Sequence, residues 1–218
     1  MNVSGIPSEA SAILVGTGWV IAGYLLGSIP IAWLLTKWVT GKDLRLLGSG
    51  NVGVMNTAIS TARWAGLLVF LTEFAKGVLA VAIPRAFDSS DFIIGLSVVA
   101  VVIGVRWPVW LGFKGGRANT AGMAAILLIS WQAIVSMGVL WVLTRLLTKN
   151  SFKATRITFV IMPVMIGVLT RSVWFALTAL ALLIIYLTAQ RPDSDDHLLL
   201  KDRWSSFWRF LTSPPRKG

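Results

Sequence analysis

The sequence predicts an all-α integral membrane protein. The expected architecture is a seven-transmembrane-helix bundle with two cytoplasmic glycine-rich loops and a short C-terminal interfacial helix. Three observations predict it. Of 218 residues, 56% are hydrophobic and only 13% charged, where a soluble domain carries about 25% charged residues. The mean hydropathy is +0.76. Residues 10–36, 118–144 and 172–190 contain no Asp, Glu, Lys or Arg, and about 20 apolar residues cross a bilayer core as a helix. Hydrocarbon offers the backbone no water, so each span must close its hydrogen bonds internally.

The candidate spans are 10–37, 65–86, 91–111, 119–131, 132–148, 154–171 and 172–190. No Lys or Arg precedes the first, and it is long and uninterrupted. It therefore reads as a retained helix and not as a signal peptide. The second holds Glu73 and Lys76, three residues apart on one helix face and able to pair. Charges inside a membrane are costly and face each other or a cavity. Two readings stay open: a structural ion pair, or support for a polar site.

The fourth and fifth spans share one charge-free stretch, Ala118–Thr144. It could form one long tilted helix or a tight hairpin of two short ones, with Gln132 marking the turn. Charge favours the hairpin. With seven crossings, one side receives Lys37, Lys42, Arg45 and Arg63, Lys114 and Arg117, Arg145, Lys149, Lys153 and Arg156, and the six basic residues from Arg191 on. The opposite side receives Arg85 and Arg171. With six crossings the basic residues spread over both faces. The positive-inside tendency thus puts the N-terminus outside and the C-terminus in the cytoplasm of a cell that carries the protein in its plasma or inner membrane. The cost is that 119–131 falls short of the usual length of about 17–25 residues and 132–148 only just reaches it, so neighbours must partly protect them.

The expected domains are a membrane domain, 1–190, and a cytoplasmic segment, 191–218. In the latter, Arg191–His197 is a linker. Leu200, Trp204, Phe207, Trp208 and Leu211 share one helical face, with Lys201, Asp202, Arg203 and Arg209 around the other. This pattern predicts a helix lying in the membrane interface, followed by a disordered SPPRKG tail. No internal repeat of about 20–50 residues is present.

The formal net charge is +11 and cysteine is absent. A soluble protein this basic would point to nucleic acid. Here basic residues flank spans and favour anionic membrane lipids, so no nucleic-acid partner is expected. Without cysteine there is no disulfide, thiolate nucleophile or Cys-based metal site. No metal-site pattern occurs, and no metal or cofactor is expected.

The topology places two glycine-rich loops on one face: GKDLRLLGSGNVGVMN (Gly41–Asn56) and GFKGGR (Gly112–Arg117). Glycine torsions let successive N–H groups turn toward one point and let a ligand approach the main chain. Arg45, Lys114 and Arg117 add charge-assisted contacts to phosphate oxygens. Ser49 adds a hydroxyl, and Asn51 and Asn56 add amides. Either loop alone serves equally well as a turn. Two together, in a charge-poor protein, point to two phosphates, or to one phosphate and lipid headgroups. The only histidine, His197, lies in the tail linker and reads as solvated. No HExxH or GxSxG pattern occurs. A covalent mechanism would need Ser49 as nucleophile with a base beside it, and no base is evident. Phosphate chemistry without a dedicated base needs an activated substrate.

Four stretches carry a resemblance: GYLLGSIP (Gly23–Pro30), GKDLRLLGSGNVG (Gly41–Gly53), LLVFLTEFAKG (Leu67–Gly77) and FKGGR (Phe113–Arg117). Their order and spacing over residues 20–122, and hydrophobic segmentation to about 190, resemble the PlsY family of bacterial integral-membrane acyl-phosphate:glycerol-3-phosphate acyltransferases. The resemblance implies seven transmembrane helices and an external N-terminus, as the charge count does. It implies transfer of a fatty acyl group from acyl phosphate to the 1-hydroxyl of glycerol 3-phosphate, giving lysophosphatidic acid and inorganic phosphate. Gly48, Ser49, Gly50 and Asn51 would hold the acyl phosphate. Arg117 stands where the family's loop, KGGKG, has the Lys that contacts glycerol 3-phosphate. Ser49 and Arg117 are thus the expected catalytic residues, with Arg45, Gly48, Gly50, Asn51, Asn56, Lys114, Gly115 and Gly116 as the expected substrate-binding set.

The chain also departs from the family pattern. Met55 and Ile59 replace a Thr and a substrate-binding Arg, with Arg63 one helical turn further on. Val105 replaces the His of a GHxxPV stretch, KGGKGVAT has become KGGRANTA, and QRPDSDDH stands in place of an RHxxN motif. A second function therefore stays open: a weak or inactive paralogue that binds acyl phosphate or anionic lipid in a regulatory or scaffolding role. A transporter would more often show inverted halves with helices broken near the midplane, whereas these glycine loops lie at the membrane surface.

Overall fold

The computed structural model of the chain describes residues 8–189. The expected linker, interfacial helix and tail, 191–218, lie outside the described residues. Among the described residues, nine α-helices follow in order: α1 (Ser8–Ser28), α2 (Ile31–Thr40), α3 (Val54–Ser60), α4 (Arg63–Ala86), α5 (Asp91–Arg106), α6 (Asn119–Ile129), α7 (Trp131–Thr148), α8 (Ser151–Thr170) and α9 (Val173–Ala189). Among the same residues, five stretches are long and apolar enough to cross a membrane: Leu14–Thr40, Arg63–Ala86, Asp91–Leu111, Trp131–Thr148 and Ser151–Thr170. α6 and α9 are shorter apolar helices.

The structure corrects three details of the expected elements. The first span, 10–37, is two helices. α1 stops at Ser28 and α2 starts after Pro30, whose ring supplies no N–H. The division between the fourth and fifth spans falls at Ser130 and not at Gln132. Ser130 is extended, with φ −156°, and its Oγ accepts a hydrogen bond from the Ala133 N–H at 3.3 Å, capping α7. Finally, Val54–Ser60, inside the first glycine-rich stretch, is the short helix α3.

The bundle is built for lipid. Its exterior carries large aliphatic side chains such as Leu67, Leu71, Val164 and Val168. Between helices, small residues let backbones approach, as expected where lipid removes the hydrophobic drive for association. α1 lies along α5, α4 along α6, and α8 packs with both α7 and α9. A Cβ at Gly27 would overlap the Val101 carbonyl, and one at Gly104 the Tyr24 carbonyl, so α1 and α5 meet backbone to backbone. Gly77 of α4 likewise faces the Ala121 carbonyl of α6. Val98, Val101, Val102, Ile126, Leu182 and Tyr186 fill the space that remains. These contacts bring the break between α1 and α2, the α3 segment and the α5–α6 connection to one end of the bundle.

Candidate active site

The first glycine loop is organised from below by one side chain. Asn56, on α3, is fully buried. Its Nδ2 donates to the carbonyls of Leu44 (3.4 Å), Leu47 (3.0 Å) and Asn51 (2.9 Å). Its Oδ1 accepts from the Ser49 N–H at 3.2 Å and from the Ser60 hydroxyl at 3.0 Å. Gly48 passes over this amide with φ +55°, and a Cβ there would overlap Asn56 Oδ1. Two requirements, a left-handed torsion and no side chain, thus select glycine. Gly50 turns with φ +71°, its N–H donating to the Leu47 carbonyl at 2.9 Å.

Several N–H groups of the two loops bond within the protein. The Ser49 and Gly50 N–H groups are engaged as above. The Asn51 N–H donates to Ser49 Oγ at 3.4 Å, and the Gly53 N–H to the Asn51 carbonyl at 3.1 Å. In the second loop, the Gly115 N–H donates to the Arg106 carbonyl (3.2 Å) and the Gly116 N–H to the Val105 carbonyl (3.1 Å). These two glycines close the last turn of α5. They are glycines because a Cβ would overlap the Val105 carbonyl at one and the Val52 carbonyl at the other. The second contact joins the loops, since Gly116 rests on Val52 with the Asn51 amide beside it. Chemistry toward a ligand therefore falls to the side chains around this seam: Ser49 and Asn51, both half-buried, exposed Lys114 and half-buried Arg117.

Arg45 braces the seam. Its Nε donates to Asp43 Oδ1 at 3.0 Å and its Nη2 to Oδ2 at 2.6 Å, while Nη1 reaches the Leu111 carbonyl at 3.3 Å. The Arg45 guanidinium beside Asp43 holds its carboxyl down to about 2. A depressed carboxylate stabilises the fold above its unfolded value, 3.8, and this contribution fades only as pH falls through about 2. The brace is therefore intact at any physiological pH.

Below the seam lies a pair that the sequence left with two readings. Lys76, 4% exposed, donates to Glu73 Oε1 at 2.7 Å and to the carbonyls of Gly27 (3.2 Å) and Ile29 (2.6 Å). Those carbonyls belong to the break between α1 and α2, so the cation holds the break in shape. Sequence reasoning missed Arg106. Its Nη1 meets the Gly116 carbonyl at 3.5 Å and its Nη2 the Thr188 carbonyl at 3.2 Å, tying the second loop to the end of α9. A cation at the end of an apolar span was the available signal. Arg63, the suggested substitute for the arginine absent at Ile59, opens α4.

Ala118, after Arg117, has φ +61° and is buried. A left-handed alanine costs about 1–2 kcal/mol, against about 0.8 kcal/mol for one buried methyl. Ala118→Gly is therefore expected to stabilise the protein by up to about 1 kcal/mol, read as a higher unfolding midpoint in detergent. A lower midpoint would show that the methyl's packing outweighs the torsion.

Residues 17–193 match the family described as glycerol-3-phosphate acyltransferase. The glycerol-3-phosphate acyltransferase of Prochlorococcus marinus (strain MIT 9215) is 31% identical over 171 residues, which cover 77% of this chain and 87% of the relative. Glycerol-3-phosphate acyltransferase 4 of Dehalococcoides mccartyi is 38% identical over 141 residues, covering 65% of this chain and 76% of the relative. Among solved structures, the glycerol 3-phosphate form of PlsY (YgiH), an integral membrane glycerol 3-phosphate acyltransferase, matches with a TM-score of 0.70 at 25% identity. The match covers 94% of this chain and 96% of that one.

Proposed function

Because the chain belongs to the glycerol-3-phosphate acyltransferase family, we propose that this multi-pass membrane acyltransferase moves a fatty acyl group from acyl phosphate to glycerol 3-phosphate or a related polyol phosphate. The observation that carries this reading is the seam at Val52 and Gly116. It brings Asn51 of one loop, next to Ser49 in sequence, beside Gly116 in the loop of Lys114 and Arg117, which supports a reading with two neighbouring phosphates. Gly48, Ser49, Gly50 and Asn51 frame the acyl phosphate, with Ser49 offering its hydroxyl to the phosphate or to the developing oxyanion. Arg117 and Lys114 hold the acceptor's phosphate. Asn56, Arg45, Gly115 and Gly116 serve by keeping the loops in shape. Seven crossings, an outer N-terminus, a cytoplasmic site and a membrane domain of 1–190 followed by a cytoplasmic 191–218 complete the proposal.

An acyl phosphate is a mixed anhydride, so no covalent enzyme intermediate is needed. The acceptor hydroxyl oxygen attacks the acyl carbonyl carbon and the ester C–O bond forms. The C–O bond to phosphate breaks, and the departing phosphate takes the hydroxyl proton. Positioning and oxyanion stabilisation then supply the catalysis.

Purified protein given acyl phosphate and glycerol 3-phosphate is expected to release inorganic phosphate in an acceptor-dependent way. Release no greater than that of Ser49→Ala, with every small polyol phosphate tried, sinks the reading. Arg117→Ala is expected to raise the apparent KM for the acceptor about tenfold or more, and Arg117→Lys clearly less. Equal effects argue against a phosphate contact at that position. A second reading, ligand binding without turnover, draws support from Val105 and the left-handed Ala118, which stand where the resembling sequences carry His and Gly. Acyl phosphate binding without phosphate release would favour it.

A further inference from the structure

Beneath the seam a small cavity opens at the break between α1 and α2. Ser28, Pro30, Glu73, Val52, Val105 and Gly115 contribute to its walls. The lining is mostly apolar, yet two of its residues bury a polar atom that has no protein partner: Ser28 Oγ and Glu73 Oε2. Ser28 is fully buried and Glu73 is 8% exposed. Buried polar atoms are nearly always satisfied, and leaving one unmet is costly. Two of them on residues that line one cavity, next to a candidate active site, call for an occupant.

We propose that this cavity is a hydroxyl subsite for the acceptor alcohol that does not react, the 2-hydroxyl when the acceptor is glycerol 3-phosphate. That hydroxyl donates to Glu73 Oε2 and accepts from Ser28 Oγ. Four observations lead there. The space admits one water-sized group. It therefore excludes a phosphate, and it excludes the reacting hydroxyl, which needs an acyl carbon against it. The Glu73 carboxylate repels anions and seeks a donor. Lys76 holds the other carboxylate oxygen at 2.7 Å, so the acceptor oxygen is oriented in advance. Val52 and Gly115, one from each loop, form the wall nearest the proposed phosphate sites. A polyol phosphate held there turns its carbon chain toward the cavity. The acceptor's identity rests on the acyl-transfer reading, while the demand for a single hydrogen-bonding group comes from the cavity itself.

The test compares equilibrium binding of glycerol 3-phosphate with that of 3-hydroxypropyl phosphate, which lacks the 2-hydroxyl, by titration calorimetry of the purified protein in nanodiscs. The wild type is expected to prefer glycerol 3-phosphate roughly 10–100-fold, as for a hydrogen bond to a charged group. Ser28→Ala deletes an unpartnered hydroxyl, so its unfolding midpoint should not fall, and its preference should shrink several-fold. Equal affinity for the two ligands in the wild type overturns the proposal. So does a preference unchanged in Ser28→Ala, which would leave the cavity to a water molecule, and so does the absence of binding by either ligand. Phosphate release by the wild type, measured separately, reports on acyl transfer alone. The subsite can therefore stand or fall whether or not turnover is seen.

Discussion

Lys76→Met is expected to destabilise the protein by about 3–5 kcal/mol, the range for removing one partner of a buried ion pair. The lysine's three contacts explain the size. Losing it strands the Glu73 carboxylate and leaves the Gly27 and Ile29 carbonyls without their donor. These carbonyls lie where Pro30 interrupts the helix and no continuing turn can reclaim them. Replacing both charges, as in Glu73→Leu with Lys76→Met, should recover part of the loss, because two well-packed apolar residues can stand in for a buried pair. Recovery should stay incomplete, since the two carbonyls remain unmet. Unfolding midpoints in detergent measure all three proteins. A single variant as stable as the wild type would mean that another group satisfies the break.

The second large effect concerns activity. Asn56→Leu is expected to lower kcat/KM for phosphate release by roughly 100-fold, the loss typical of reacting groups displaced by about 1 Å. Asn56 touches three carbonyls and one N–H of the first loop, and its amide supports Gly48 from beneath. Leu fills the volume but offers none of these bonds. Asn56→Asp keeps the shape and still fails, because a carboxylate turned toward the Leu44, Leu47 and Asn51 carbonyls repels them. Conservative size is thus no rescue, which separates a hydrogen-bonding role from a space-filling one. Asn56→Asp with wild-type turnover would show that the loop keeps its form without the amide.

Much of the helical layout was legible because a bilayer imposes length and apolarity together. Charge-free runs therefore mark helices even where no amphipathic period exists. Their interruptions were harder to see. GSIP sits inside an apolar run, and hydropathy does not register a missing N–H, so the break at Ser28–Pro30 passed as continuous helix. Ser130 and Gln132 are equally compatible with a turn by composition. What decides is which side chain can cap α7, and Ser130 reaches the Ala133 N–H.

The site was legible as a collection of residues but not in its directions. Glycine serves both for exposing N–H groups to a ligand and for letting backbones touch. Gly115 and Gly116 serve the second purpose, which no motif distinguishes from the first. Asn56 reads from sequence as an amide for the ligand, whereas in the structure its polarity faces inward, onto the loop. Arg106 escaped notice because its partners, the Gly116 and Thr188 carbonyls, are main-chain atoms that sequence does not advertise.

The seam at Val52 and Gly116 has a thermodynamic corollary. Two loops in backbone contact have no independent conformations, so a ligand that reshapes one alters the free energy of occupying the other. Linkage makes that effect reciprocal: whatever factor the donor imposes on acceptor affinity, the acceptor imposes equally on the donor. On the proposed assignment of one substrate to each loop, a single glycine contact would couple the two binding equilibria, and neither substrate's dissociation constant would be a property of its own loop alone.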